Sequence, residues 1–320
     1  MTTLAAPDEP LVSVVVPTYN RAMVVGETIE NIFQQTYPNI ELIIVDDGST
    51  DDTIDVLKSY GNQIRWAVQK NAGPAAARNR GIAMAKGDIV AFQDSDDAWH
   101  PTKLARQVSL MQRAGQSVVC CLCNSIVQLP GVEVRSFENA PVAPSLDEGV
   151  WLNVTEVLAT RFILLNQAIA IRRDVLNRLG GFDESFRLME DADLALRLSM
   201  EGPWAFIREP LATRQAKVER TLGHEATEQM VCNYEIRIQE RTLTTLQSNP
   251  GRSGLIPLVR RELRRSRRKL RALKIGESPA FGASAVGWGL TQIERYRMAA
   301  YRRTPWFPQM RISAVEPFKS

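Results

Sequence analysis

Histidine is almost missing from this chain: His100 and His224 are the only two in 320 residues. Cysteine is nearly as scarce, with Cys120, Cys121 and Cys123 packed into SVVCCLCN and Cys232 standing apart. Cys120 and Cys123 have C-x-x-C spacing, which raises zinc or redox chemistry. There is no second Cys pair and no nearby histidine to complete such a site. Plain buried thiols in a reducing compartment fit better. No run approaches the ~20 consecutive apolar residues of a membrane-spanning helix. The opening MTTLAAPDEP lacks the basic and apolar regions of a secretion signal, so the expectation is a cytoplasmic protein. Internal repeats and low-complexity tracts are absent as well.

What is present suits a globular chain. Hydrophobic residues make up 44% and charged residues 23%, and the length allows one large domain or two. The net charge of +3 hides an uneven distribution. Residues 251–320 hold 16 Lys+Arg against 4 Asp+Glu, while the remainder holds 23 against 32. A basic C-terminal segment is thus joined to an acidic body, a pattern that points to an anionic partner.

The first hundred residues alternate in character. LVSVVVP (11–17), ELIIVDDGS (41–49), IRWAVQ (64–69) and DIVAFQ (88–93) are short β-branched or apolar runs ended by polar residues, and read as strands. Between them, ETIENIFQQTY (27–37) has helical spacing, and PAAARNRGIAMA (74–85) reads as a helix with proline in its first turn. Ser49 or Thr50 is expected to cap the helix after the second strand. Strands alternating with helices imply right-handed crossovers and a mainly parallel α/β sheet covered by helices on both faces. Ligands of such sheets sit beyond the carboxyl ends of the strands. The loops there, PTYNR, DDGSTDD, QKNAGPAAARN and DSDDAW, are all polar and should gather at one edge.

Further along, PTKLARQVSLMQRAG (101–115) reads as a helix, QSVVCCLCNS as a strand, NQAIAIRR (166–173) as a strand, MEDADLALRLSMEG (189–202) as a helix and PWAFIREP (203–210) as a closing strand. The pattern weakens over 125–165, where LPGVEV and NAPVAPSLDEG read as loops that could include a flap. Trp151, Trp204 and Phe206 fit the core better than a sugar-stacking platform. In 255–273, Leu255, Val259, Leu263, Leu270 and Leu273 share one helical face, Ser266 fills its gap, and the rest is mostly arginine.

Asp94 and Asp96 form a D-x-D at the end of the fourth strand. Carboxylates so placed can hold Mg2+ or Mn2+ and leave positions open for phosphate oxygens and water, or they can simply cap the next helix. Asp46 and Asp47 fit a turn as well as a binding role. Glu190, Asp191 and Asp193 also suit a helix N-terminus.

VVVPTYNR (14–21), IIVDDGSTDDT (43–53), NAGPAAARNRG (71–81), FQDSDDAWHPTKL (92–104) and GGFDESFRLMEDADLALR (180–197) together resemble the family 2 glycosyltransferases, inverting enzymes of the GT-A fold. The likeness covers roughly residues 11 to 210 and fades beyond about 215. It implies a GT-A catalytic domain over 11–215 on a mixed, mainly parallel α/β sheet covered by helices, with a nucleotide-binding half at 11–100 and an acceptor-binding half at 101–215. Residues 1–10 would be a disordered N-terminus, and 216–320 a basic helical C-terminal extension. It implies a nucleotide-sugar donor, most simply a UDP-sugar, lying along Pro17, Thr18 and Tyr19. Asp47 would accept a hydrogen bond from the base, Asn71 and Arg78 would lie near base and phosphates, and Asp94 and Ser95 on the ribose side. Asp96 would hold Mg2+ or Mn2+, Asp191 would be the general base, and Glu190 would orient an acceptor hydroxyl.

Two other readings compete. A sugar-phosphate nucleotidylyltransferase would want a glycine-rich phosphate loop after the first strand, and VVVPTYNR has no glycine. A nucleotide-binding pseudoenzyme subunit would have no need of intact D-S-D and E-D pairs. No Q-x-x-R-W motif is evident, which favours addition of a single sugar. Three readings fit the basic stretch at 255–273: a solvated helix, a peripheral contact with anionic lipid at the inner membrane face, or a protein contact. No nucleic-acid-binding module is recognisable.

Overall fold

The computed structural model describes residues 9–129, 132–140, 142, 144–160, 163, 166–214, 227–274 and 310–315. Residues 1–8, His224 and 275–309 lie outside the described residues. Of the expected disordered N-terminus, Pro10 and Glu9 are described: their carbonyls accept hydrogen bonds from Tyr37 Oη at 2.6 Å and Asn39 Nδ2 at 2.8 Å.

The chain opens with β1 (Val12–Thr18), α1 (Val25–Phe33), β2 (Ile40–Asp46), α2 (Thr53–Ser59), β3 (Arg65–Val68), α3 (Pro74–Met84) and β4 (Ile89–Phe92). The four strands pair in parallel in the order β4-β1-β2-β3. Every residue of β1 is buried, as a strand covered on both faces requires, and its sequence is therefore a β-branched run rather than an alternation. Pro17 is tolerated in this central strand because β4 ends opposite Val15, so no ladder bond to β4 is lost.

α3 lies unusually close to the sheet. A Cβ on Gly81 would sit 2.3 Å from Val15 Cγ1. Glycine there, with Ala75, Ala76 and Ala77 all buried, lets the helix approach β1. Pro74 occupies the first helical turn after Gly73, whose φ is +93°.

The chain continues through β5 (Ala98–Trp99), α4 (Lys103–Ala114), β6 (Cys120–Leu129), β7 (Val132–Arg135), α5 (Ser136–Asn139), β8 (Glu148–Trp151), α6 (Val154–Leu158), β9 (Ile169–Arg172), α7 (Arg173–Leu179), α8 (Glu190–Ser199) and β10 (Trp204–Arg214). β9 runs antiparallel to both β4 and β6, β10 pairs parallel to β6, and β8 is antiparallel to β10. The result is one mixed α/β sheet, eleven strands among the described residues. Trp151 and Trp204 are fully buried and meet edge to face at 6.2 Å, and Phe206 is fully buried beside them. Cys120, Cys121 and Cys123 are free, buried thiols.

Two local expectations are corrected. LPGVEV, expected as loop, carries β7, and the weakly patterned stretch 125–165 also holds α5, β8 and α6, elements of four or five residues, too short to show periodicity. Neither Ser49 nor Thr50 caps α2. Its first residue is Thr53, preceded by Asp52, and Ser49 Oγ instead bonds the Asp46 carboxylate.

The C-terminal part contributes α9 (Glu228–Gln247), α10 (Ile256–Lys274) and β11 (Ile312–Ser313), the last pairing with β8. α9 and α10 pack on one another. Val259, Leu263 and Ser266 are buried, as the amphipathic pattern predicts, while Arg260, Arg264, Arg268 and Arg271 are exposed. No described helix is long and apolar enough to cross a membrane.

Candidate active site

Because β1 to β4 are parallel, their carboxyl ends share one edge, and backbone bonds fasten the loops there. Asp47 N donates to Thr18 O at 2.8 Å and Gln69 N to Asp46 O at 2.9 Å. Asp46 and Asp47, adjacent in sequence, do different work. Asp46 is fully buried and closes its own turn, accepting from Gly48 N at 3.1 Å and Ser49 N at 2.9 Å. Asp47 reaches into the next loop. Its Oδ1 accepts from Gln69 Nε2 at 2.8 Å and Ala72 N at 2.9 Å, and its Oδ2 from Gly73 N at 2.8 Å. Gly48, at φ +82°, fits this crossing, since a Cβ would meet Asn71 N and Gln69 O at 3.0 Å each. Asn71 itself is exposed.

Pro17 and Thr18 are buried at the end of β1, and Tyr19 is 43% exposed just beyond it. Thr18 Oγ1 is buried and has no hydrogen-bond partner among the described residues. An orphan hydroxyl at a sheet's ligand edge is a candidate contact for something bound there.

Arg78 joins the pieces. It is 3% exposed, on the sheet-facing side of α3. Its Nη2 donates to Asp94 Oδ1 at 2.7 Å and its Nη1 to Glu190 Oε1 at 2.8 Å, a residue 112 positions away. Its guanidinium lies 5.4 Å from the ring centre of Phe182. Burial disfavours its charge, but the two carboxylates outweigh that and raise its pKa above the ordinary value. Arg78 therefore remains a cation that ties the D-x-D loop to the start of α8.

Asp94 stays a third exposed, and Ser95 is buried, its carbonyl accepting from Thr28 Oγ1 at 2.9 Å. Asp96 is mostly buried. Burial first, then repulsion from Asp94, raise its pKa, while Arg21, 3.7 Å away, and Arg214 oppose the rise. Arg21 was not singled out in the sequence. The signal was its place at the end of VVVPTYNR, on the loop that faces DSDDAW.

A divalent cation would relieve the repulsion that Asp94 exerts on Asp96. No group of three or more His, Cys, Asp or Glu gathers around such an ion among the described residues. A cation here would complete its shell with oxygens of water and a diphosphate, which Mg2+ and Mn2+ accept. The residues fit that kind of shared site.

α8 begins after Met189, which is left-handed at φ +63°, with Glu190, Asp191 and Asp193 in its first turn. Asp191 is half-buried, and its Oδ1 accepts from Ala192 N at 2.8 Å. Burial and the neighbouring Glu190 push its pKa up to about 7, against the pull of Arg78. The charge of Asp94 also reaches it, so Asp191 shares the electrostatic environment of the D-x-D loop. A carboxylate poised near neutrality is what general-base chemistry needs. His100 is exposed, and Trp99 is buried beneath Lys103 Nζ at 3.8 Å.

The mixed sheet with its helical cover and its polar edge at the strand ends has the GT-A architecture of the solved structures it matches. A family model described as glycosyl transferase family 2 matches residues 13–172, half of the chain. The chain therefore belongs to glycosyl transferase family 2. It is 30% identical to an uncharacterised glycosyltransferase of Rickettsia prowazekii, over 58% of this chain and 57% of that one. It is 31% identical over 59% of its length to the Escherichia coli protein WfaP, covering 70% of it. WfaP is named a UDP-Glc:α-D-GlcNAc-diphosphoundecaprenol β-1,3-glucosyltransferase. The chain thus spans under two thirds of some of its curated relatives. Among solved structures, Staphylococcus aureus TarS 1–349 with UDP-GlcNAc has a TM-score of 0.59 at 19% identity, over 73% of this chain and 66% of that one. The mannosyltransferase PcManGT of Pyrobaculum calidifontis, in complex with GDP-Man and Mn2+, has a TM-score of 0.54 at 21% identity, over 94% and 88%. At those identities the structures speak to fold alone.

Proposed function

We propose that this chain is an inverting, metal-dependent glycosyltransferase that moves a sugar from a UDP-sugar to an acceptor hydroxyl in polysaccharide, glycolipid or glycoconjugate synthesis. The observation that carries the reading is the Arg78 bridge, which draws Asp94 of the D-x-D loop and Glu190 of the E-D pair into one cleft. Residues 11–215 act as the catalytic unit, with 216–320 as its basic helical extension.

In this reading the nucleoside lies along Pro17, Thr18 and Tyr19, with the free Thr18 hydroxyl as one contact. Asp47 Oδ2, which accepts a single bond, keeps a lone pair for the imide N–H of uracil. Asn71 and Arg78 stand near base and phosphates, and Asp94 and Ser95 on the ribose side. Asp96 holds Mg2+ or Mn2+. When bound, that ion supplies positive charge against the charge growing on the departing diphosphate. Asp191 takes the proton of the acceptor hydroxyl as its oxygen attacks C1, the C1–O bond to the diphosphate breaks on the opposite side, and the anomeric centre inverts. Glu190, held by Arg78, orients the acceptor.

The names and bound ligands of WfaP, TarS and PcManGT support a nucleotide-sugar donor, and PcManGT supports a metal. Arg260, Arg264, Arg268 and Arg271, exposed along α10, support peripheral contact with anionic lipid at a cytoplasmic membrane face, where each cation near such a surface adds about 1 kcal/mol.

Thermal unfolding with UDP-glucose, UDP-GlcNAc and GDP-mannose, each with and without Mn2+, tests the donor. A ligand at one hundred times its Kd stabilises by roughly 2.7 kcal/mol. A UDP-sugar should raise Tm in a Mn2+-dependent way, and Asp96→Asn should remove the Mn2+ increment. No shift with any nucleotide sugar would overturn the reading.

A further inference from the structure

The acid pair of the cleft sits on α8, outside the 13–172 stretch that matches the family model. Part of what fixes α8 in place comes from still later in the chain. The helix has no side-chain N-cap, and three acids crowd its first turn. Glu190 is held by Arg78. Asp193, with a side chain only 1% exposed, accepts from Arg197 Nε at 2.8 Å and from Arg241 Nη1 of α9 at 2.7 Å. Arg241 Nη2 also binds Asp183, in the segment leading into α8. Arg237, one turn earlier on α9, pairs with Asp183 at 3.3 Å and lies 4.2 Å over the Phe186 ring. At the other end of α8, Arg252 Nη1 donates to Ser199 O at 3.2 Å and to Thr155 Oγ1 at 3.1 Å.

At about 100° per residue, Asp191 and Asp193 stand ~200° apart around the helix, on nearly opposite faces. The buried Asp193 is thus gripped from behind while Asp191 is left to the cleft. We propose that α9, α10 and the turn Pro250–Leu255 between them are a working part of the catalytic centre, with Arg241 and Arg252 as positioning residues that fix α8, and hence Asp191, against the donor site. Removing Arg241 leaves Asp193 short of a partner. The helix then turns or slides to let water reach that carboxylate, and Asp191, two residues away, moves with it. Donor binding, built on α3 and the strand-end loops, is spared. This rests on the assignment of Asp191 as general base.

The test uses the full chain with Arg241→Gln, Arg252→Met, Arg267→Ala and Asp191→Asn. Arg267 pairs on the surface with Glu240 at 2.6 Å and serves as control. Two quantities are measured: nucleoside diphosphate release from the nucleotide sugar that gives the greatest thermal protection, and amide exchange over 190–199. Arg241→Gln and Arg252→Met should each lower kcat at least tenfold, leave donor KM within twofold, and speed exchange at 190–199 at least tenfold. Arg267→Ala should match wild type in both. If Arg241→Gln fails to fold, Arg252→Met carries the test from the opposite end. Wild-type kcat and exchange in the folded variants would overturn the proposal, as would a proportional loss of donor binding. Wild-type turnover in Asp191→Asn would instead remove the base assignment, and the exchange result would still stand on its own.

Discussion

Asp191→Asn should make the ligand-free protein more stable at pH 8 while destroying its activity. Burial and Glu190 raise the Asp191 pKa from 3.8 to about 7. In the unfolded chain the group ionises near its ordinary value. Between about pH 4 and 7 the native state therefore holds a proton that the unfolded state has lost, and stability falls as pH rises. Above pH 7 the full cost of the buried charge is present; below about pH 4 it vanishes. Each pKa unit is worth about 1.4 kcal/mol, so the shift sets a ceiling of roughly 4 kcal/mol. The partial solvent access of Asp191 discounts this to about 2–4 kcal/mol. Asparagine keeps the shape and removes the charge. With an unfolding entropy of about 2.1 cal/mol/K per residue, the gain corresponds to ~3–6 °C in Tm at pH 8. Scanning calorimetry of both proteins at pH 5 and pH 8, without nucleotide or divalent cation, reads it directly. A gain at pH 8 that shrinks at pH 5 is expected. No gain at pH 8, or the same gain at both, would refute the reasoning.

Arg78→Met strands two carboxylates, and breaking a buried pair this way costs about 3–5 kcal/mol in denaturant unfolding. Arg78 also opposes the upward shift of Asp191, so in any folded Arg78 variant the acid limb of the kcat profile should move to higher pH. Cys120, Cys121 and Cys123 are buried, with burial raising each thiol pKa, so a thiol reagent should react with none of them until the protein is unfolded.

The nucleotide half of the fold was legible because β1, β2 and β4 are largely buried runs, α1 repeats its apolar residues at helical spacing, and α3 is marked by Pro74 and its alanines. The loops were legible as a set, since parallel strands must deliver their carboxyl ends to one edge. The partition of work between Asp46 and Asp47 was not: it depends on where the 69–73 backbone passes. Nor could spacing show that Arg78 spans Asp94 and Glu190, because that contact crosses 112 residues. Arg21 was hidden because a single arginine in a loop reads as solvated. α9 went unassigned within the basic extension because its apolar stripe is weak and much of its docking is ionic, through Arg237 and Arg241. The short elements between 125 and 165 left no period to detect.

The central claim, that Asp191 is the base serving a donor held by the strand-end loops, meets its most direct test in one paired measurement on Asp191→Asn. Calorimetric titration with UDP and Mn2+ should give a Kd within about threefold of wild type, while sugar transfer falls by roughly the 10²–10⁴ that a positioned base contributes. Transfer at a wild-type rate in a variant that still binds UDP would contradict it.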